Sequence, residues 1–215
     1  MDESIFKCIF RYRATENMSP KESYLTEILS WMINNLEHFG EDYISFLYKN
    51  ANCEGVNFNT NDIESKTQIR VNKGIIDMVL LTPKLGFICE HKVDSQLRDN
   101  QINDYKDCAK EINNNVQFKT VLLIKYKWQQ TQQSDIAITW KDIYDFFSGR
   151  IKGYNDTSEE IIINQFLLYL KENNMGAIDK LQVDAIKNYC LVPITHNNDI
   201  GIICSPSEMK EHSYV

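Results

Sequence analysis

The stretch that most limits what this chain can fold into is Ile75-Ile76-Asp77-Met78-Val79-Leu80-Leu81, which is apolar on both faces of an extended backbone except for one aspartate. It is short and lies between Asn72-Lys73-Gly74 and Thr82-Pro83-Lys84, so it reads as a strand covered on both sides. Before it, Ile63, Ser65, Thr67, Ile69 and Val71 alternate with Glu64, Lys66, Gln68 and Arg70, the two-residue period of a half-buried strand. After it, Leu85 to Val93 starts apolar and ends with Glu90 and Lys92 on one face. Tight turns join the three into a meander, and its middle strand carries an acid where an unpaired charge is costly.

Helices are expected around this meander. From Pro20 to Glu37, residues Leu25, Ile28, Leu29, Met32, Ile33 and Leu36 recur at helical spacing, with Ser19, Pro20 and Glu22 at N-cap, N1 and N3. A short helix to about Lys49 and an Asn-rich loop to residue 62 follow. Asp94 or Ser95 can cap a helix reaching Asn113, with Leu97, Ile102, Tyr105, Cys108, Ala109 and Ile112 inward. Lys119 to Lys125 and Ile136 to Trp140 read as strands. Lys141–Phe147, Ser158–Asn173 and Val183–Cys190 read as helices. The fold class is therefore α/β. Residues 1–190 are expected to form one domain, and 191–215 a C-terminal tail or extension of no clear pattern.

Composition removes several chemistries. The six cysteines form no C-x-x-C pair, the four histidines no H-x-x-H or H-x-x-x-H spacing, and neither G-x-S-x-G nor G-x-x-x-x-G-K-[ST] occurs. Zinc hydrolase, serine hydrolase and P-loop readings lose their anchor. No run of eighteen apolar residues or secretion signal is visible, so a cytoplasmic protein with no membrane partner is expected. A formal net charge of −7 argues against coating nucleic acid through a bulk positive field, and any such contact must be local or assisted by metal.

Four triplets place an acid two residues before a lysine: Glu64-Ser65-Lys66, Glu90-His91-Lys92, Asp104-Tyr105-Lys106 and Glu208-Met209-Lys210. Only the second ends an apolar strand that follows another apolar strand bearing an acid. Asp77 and Glu90 can meet there to hold a hard cation such as Mg²⁺, with Mn²⁺ as substitute. Lys92 projects beside them, and His91 points away while its backbone carbonyl remains a candidate ligand. In phosphodiester hydrolysis the metal would polarise the phosphoryl oxygen and acidify water, and Lys92 would orient that water or stabilise charge.

These residues resemble the PD-(D/E)XK nucleases, and within them a bacterial branch whose N-terminal helix carries a motif like Glu22-Ser23-Tyr24-Leu25-Thr26-Glu27. The resemblance covers roughly residues 5–190 and includes Gly74-Ile75-Ile76-Asp77, Glu90-His91-Lys92, and Gln101 with Tyr105 four residues on. It departs at Ile76, where the family name has proline. It implies a restriction-endonuclease-like αβββαβ core, a central mixed sheet flanked by helices with extra helices after it, and a Mg²⁺-dependent endonuclease acting on DNA. It also implies a third acid near the metal, through water, and a glutamine close to the site. Helical geometry sets Glu22 beside the Leu25/Leu29/Leu36 stripe and turns Glu27 away, so the acid's role is carried onto Glu22 and the glutamine's onto Gln101. Relatives of this branch serve in defence against phage, alone or with a sensor partner, and a homo-oligomer is compatible with that.

Plainer readings stand beside each assignment. Glu22 can simply reciprocate the Ser19 cap, Asp77 can bridge to Lys92 for structure alone, and Gln101 can be a core-edge amide. His91 is expected at the surface, and Trp31 and Trp140 in the core. The rival function is a non-catalytic interaction module that keeps the nuclease fold; an RNA nuclease would share every catalytic residue.

Overall fold

All eight residues of the strand Leu85–Lys92 are buried, which is possible only for a strand with neighbours on both edges and cover on both faces. The strands are β1 (Glu64–Val71), β2 (Gly74–Leu81), β3 (Leu85–Lys92), β4 (Gln117–Ile124) and β5 (Ile136–Thr139). They form one sheet in the order β1-β2-β3-β4-β5. The β1–β2 and β2–β3 pairings are antiparallel; β3–β4 and β4–β5 are parallel. The molecule is thus α/β, an open five-stranded mixed sheet flanked by helices. This computed structural model describes residues 20–53, 62–154 and 157–176, with the backbone of Pro193–His196 and Asp199–Ile202. The chain divides into two compact units, Met1–Gly176 and Ala177–Val215.

Helices α1 (Lys21–Asn35) and α2 (Glu37–Asn50) cover one face. Leu25, Leu29, Met32, Phe39, Tyr43 and Leu47 pack there with Met78, Leu80, Phe87, Cys89, Val121 and Leu123 of the sheet. The two helices meet closely at Gly40, where an added Cβ would lie 2.7 Å from the Ile33 carbonyl oxygen, so only glycine fits. Gly74, at φ 150°, makes the turn from β1 into β2. The opposite face holds α3 (Gln101–Asp107) and α4 (Ala109–Ile112); Tyr105 packs on Ile76, Val79 and Ile88. Helices α5 (Trp140–Arg150) and α6 (Thr157–Glu172) complete the first face, through Trp140, Ile143, Phe147, Ile163 and Leu170.

Several expectations shift. α1 begins at Lys21 with Pro20 as N-cap and no side-chain cap; Ser19 lies outside the described residues, and the Glu22 carboxylate bonds elsewhere. The single helix expected from Asp94 or Ser95 to Asn113 is replaced by an irregular segment and two short helices broken at Cys108. Asn100 adopts a left-handed φ of 59° immediately before α3, and a helix cannot run through that residue. Trp140 opens α5 instead of closing β5, because Thr139 and Asp142 form a reciprocal capping box around it. The helix expected at Val183–Cys190 and the boundary after residue 190 lie outside the described residues. Where no pattern was legible, the backbone of β6 (Pro193–His196) pairs antiparallel with β7 (Asp199–Ile202). Among the described residues, no helix is long and apolar enough to cross a membrane.

Candidate active site

The ladder between β2 and β3 stops at the pair Met78–Cys89. Asp77 and Glu90 come next in that register, yet beyond this point β2 pairs only with β1, to Gly74, and β3 only with β4, to Lys92. The two strands part here. The Asp77 carboxylate spans the opening and accepts the backbone N–H of His91 at 2.9 Å, where a strand carbonyl would otherwise do so.

Glu90 and Lys92 stand on the same face of β3, two residues apart. Glu90 is 2% exposed. Its Oε1 accepts from Lys92 Nζ at 2.6 Å and from Gln101 Nε2 at 2.6 Å. Its Oε2 is buried and, among the described residues, has no hydrogen-bond partner. Gln101 Nε2 also donates to the Tyr105 hydroxyl, and that hydroxyl donates to the Ile75 carbonyl; the glutamine is therefore held by two strands at once. Glu22, in the first turn of α1, reaches the same place. Its carboxylate accepts from Lys92 Nζ at 3.3 Å, Val93 N–H at 2.9 Å and Ser95 Oγ at 2.8 Å. The structure brings together all five expected side chains, Glu22, Asp77, Glu90, Lys92 and Gln101.

The electrostatics of the cluster are unbalanced. Burial pushes the Asp77 carboxyl up to about 6, against the opposing pull of the His91 N–H and Lys92. Burial, then the Asp77 charge, pushes Glu90 up to about 8, although Lys92 is in contact with it. For Lys92, burial works against its charge, but Glu90 and Glu22 outweigh that and hold its pKa above the ordinary value. Three carboxylates thus face one ammonium in a mostly buried space, which favours protonation of an acid or arrival of another cation.

Among the described residues no three His, Cys, Asp or Glu side chains stand as a ready-made metal-ligating set. The Lys92 ammonium lies against one oxygen each of Glu90 and Glu22. The donor chemistry nevertheless fits a hard divalent ion: carboxylate oxygens, an orphaned buried oxygen on Glu90, and surplus negative charge. Asp77, Glu90 and the His91 carbonyl between Glu90 and Lys92 could bind it directly, with Glu22 further out through water.

Comparison with protein-family models, with curated proteins and with solved structures finds no match. The arrangement of these residues therefore carries the functional argument.

Two readings of the sequence are corrected. His91 does point away from Glu90 and Lys92, but its side chain is fully buried, not at the surface. Thr26 Oγ1 donates to the Glu22 carbonyl at 2.9 Å and lies 2.7 Å from His91 Nδ1. The hydroxyl proton is thereby used, so His91 donates from Nδ1, and burial pushes its pKa down to about 3. The ring also meets Trp140 edge to face at 5.5 Å. Glu27, expected to point outward, is buried too, because β1 runs along the flank of α1. Thr67 Oγ1 donates to Glu27, Ser65 Oγ to Ser30, and Ser65 and Asn34 bond reciprocally through backbone and amide. Glu27, Ser30 and Asn34 are spaced three and four apart, so a second, polar stripe was present in the sequence.

Sequence reasoning missed Gln129. It is fully buried; its Nε2 donates to the Val93 and Ser95 carbonyls, and its Oε1 accepts from the Lys125 and Tyr126 N–H groups. It fastens the segment after β3 to the end of β4. A glutamine in a polar loop carries no periodic signal. Trp140 is in the core as expected, and its Nε1 donates to the Lys92 carbonyl at 3.3 Å.

Proposed function

We propose that this chain is a metal-dependent phosphodiesterase, an endonuclease of the PD-(D/E)XK type acting on DNA. The observation that carries this reading is the convergence of Asp77, Glu90 and Lys92 where β2 and β3 part, with one Glu90 oxygen buried and unpartnered. The element order of a helical layer, three antiparallel strands, a helix and a parallel strand is compatible with the αβββαβ core expected for that family.

Asp77, Glu90 and the His91 carbonyl would hold Mg²⁺, and Mn²⁺ in its place. When bound, such an ion supplies Lewis acidity toward a phosphoryl oxygen and acidifies water at neutral pH. Lys92 remains an ammonium through the physiological range because its acidic neighbours favour the charged form. It therefore donates hydrogen bonds to the negative charge that grows on the phosphate as the bond to the attacking oxygen forms. Glu22 and the Trp140 N–H bond restrict where Lys92 and its backbone sit, and fixed placement is what makes such donors effective. Gln101 keeps Glu90 Oε1 occupied, so Oε2 is the Glu90 oxygen left for a cation.

The test is incubation of labelled double-stranded DNA, single-stranded DNA and RNA with Mg²⁺, Mn²⁺ or chelator. Cleavage is expected in the parent with metal and not in Asp77→Ala or Lys92→Ala. If both purified, folded variants cut as well as the parent, the proposal is wrong.

A further inference from the structure

Beyond β4 the chain turns outward through Lys125-Tyr126-Lys127-Trp128, ending in a short 3-10 turn, Lys127–Gln129. Two large apolar side chains are displayed here: Tyr126 is 41% exposed and Trp128 56%. Their rings stack, with centroids 5.9 Å apart and planes 12° from parallel. Lys125 Nζ lies 5.0 Å from the Tyr126 ring centroid, and Lys127 is exposed beside them. Asp94 stands 3.9 Å from both Lys125, whose side chain is 8% exposed, and Lys21, so Lys127 is the cation open to solvent at the rings. In an acidic chain, this is a local exception that combines cationic charge with flat aromatic surface.

Position ties the pair to the candidate active site. Lys125 N–H donates to the Lys92 carbonyl at 3.0 Å. Gln129 then locks the same turn to Val93 and Ser95, and Ser95 bonds Glu22. By strand spacing and chain length alone, Trp128 lies within roughly 15 Å of Lys92, a few nucleotides along a strand. The platform is also rigidly mounted: Gln129 is fully buried, and the four hydrogen bonds of its side chain all go to backbone groups.

We infer that Tyr126 and Trp128 form a base-stacking platform that holds an unpaired stretch of nucleic acid beside Lys92, so that the substrate class is a single strand or a locally unpaired one. This inference rests on the phosphodiesterase reading for its purpose, but its binding test does not. Stacking suits the chemistry of the surface because every nucleobase has a π-face, whereas a paired base keeps its faces inside the duplex. Lys127, exposed beside the rings, meets the backbone charge as the bases stack, while Lys125, with its side chain 8% exposed, packs against the Tyr126 ring. The arrangement also answers the overall charge of −7, because affinity drawn from stacking does not need a broad positive field.

The experiment is fluorescence anisotropy of the full chain in chelator with short mixed-sequence oligonucleotides as single-stranded DNA, single-stranded RNA and blunt DNA duplex. The variants are Tyr126→Ala/Trp128→Ala and Trp128→Phe, with thermal unfolding to confirm that they fold. The parent is expected to prefer single strands, and the double alanine variant to lose about tenfold or more of that affinity with duplex binding almost unchanged. Trp128→Phe, which keeps an aromatic ring at both positions, should bind single strands nearly as the parent does. The inference is overturned if the double variant binds single strands like the parent, if the parent prefers duplex, or if the parent binds no nucleic acid. Adding Mg²⁺ separates the two ideas. Platform-dependent binding without cleavage sinks the phosphodiesterase reading alone, and cleavage with platform-independent binding sinks the platform alone.

Discussion

The Asp77 carboxylate replaces a strand carbonyl, accepting the His91 N–H at the point where β2 separates from β3. One residue thus has both a structural and an electrostatic task, and substitution can separate them. Asp77→Asn retains an acceptor for His91 and removes a negative charge from a crowded cluster, so stability should stay within about 1 kcal/mol of the parent. Asp77→Ala leaves the His91 N–H without its acceptor and should cost about 1–3 kcal/mol. Both should abolish metal-dependent cleavage. Urea unfolding beside single-turnover assays checks this, and an active Asp77→Asn would remove the acid from the mechanism.

The surplus of carboxylates predicts that a divalent ion stabilises the folded protein. Anything that binds the native state and not the unfolded chain raises its stability by mass action. Mg²⁺ or Mn²⁺ should therefore raise the Tm of the parent, and Glu90→Gln should abolish that increment while leaving a folded protein. Calorimetry in the absence of any nucleic acid measures this directly. Equal Tm with metal and with chelator would count against the cation site.

Gln129 makes four bonds to backbone groups that have no alternative partner on the same side chain. Gln129→Leu conserves approximate volume but strands those groups, with an expected loss of about 2–4 kcal/mol. The end of β3 should then loosen from the end of β4. Hydrogen exchange at Lys125 and Tyr126, whose N–H groups donate to Gln129 Oε1, would report the opening, and unchanged protection there would refute the tethering role.

A pH effect is expected well away from the site. Glu159 accepts the Phe39 N–H at 2.7 Å and lies 2.8 Å from His38 Nδ1, joining α6 to the start of α2. The hydrogen bond to Glu159 raises the His38 pKa above 6.5, against the opposing effect of burial and with the help of the Glu159, Glu37 and Glu41 charges. A raised histidine pKa means the folded state binds the proton more tightly, so this contribution is fully present below pH 6.5 and fades as pH rises through the higher folded value. The stability gap between the parent and His38→Gln should therefore be widest near pH 5.5 and close on the alkaline side. A gap that widens with pH would contradict the assigned ion pair.

Local pattern sufficed for much of this protein. The apolar runs of β2 to β4 and the stripe of α1 encode which faces are buried, and Asp77, Glu90 and Lys92 could be singled out because charge inside an apolar strand conflicts with its surroundings. Periodicity reports one face at a time, so it failed where an element is contacted on two sides. Glu27 and His91 read as outward because β1 on the flank of α1, and Trp140 behind β3, come from distant parts of the chain. The segment from Asp94 to Asn100 is another such case: its residues favour helix locally, but Glu22 and Gln129 claim Ser95, and Asn100 turns left-handed. The sequence alone determined which residues are costly to bury. That β2 and β3 part beside Asp77, that Gln129 ties β3 to β4, and that Tyr126 and Trp128 face outward emerged from the folded chain, because each depends on contacts between segments whose separation leaves no periodic trace.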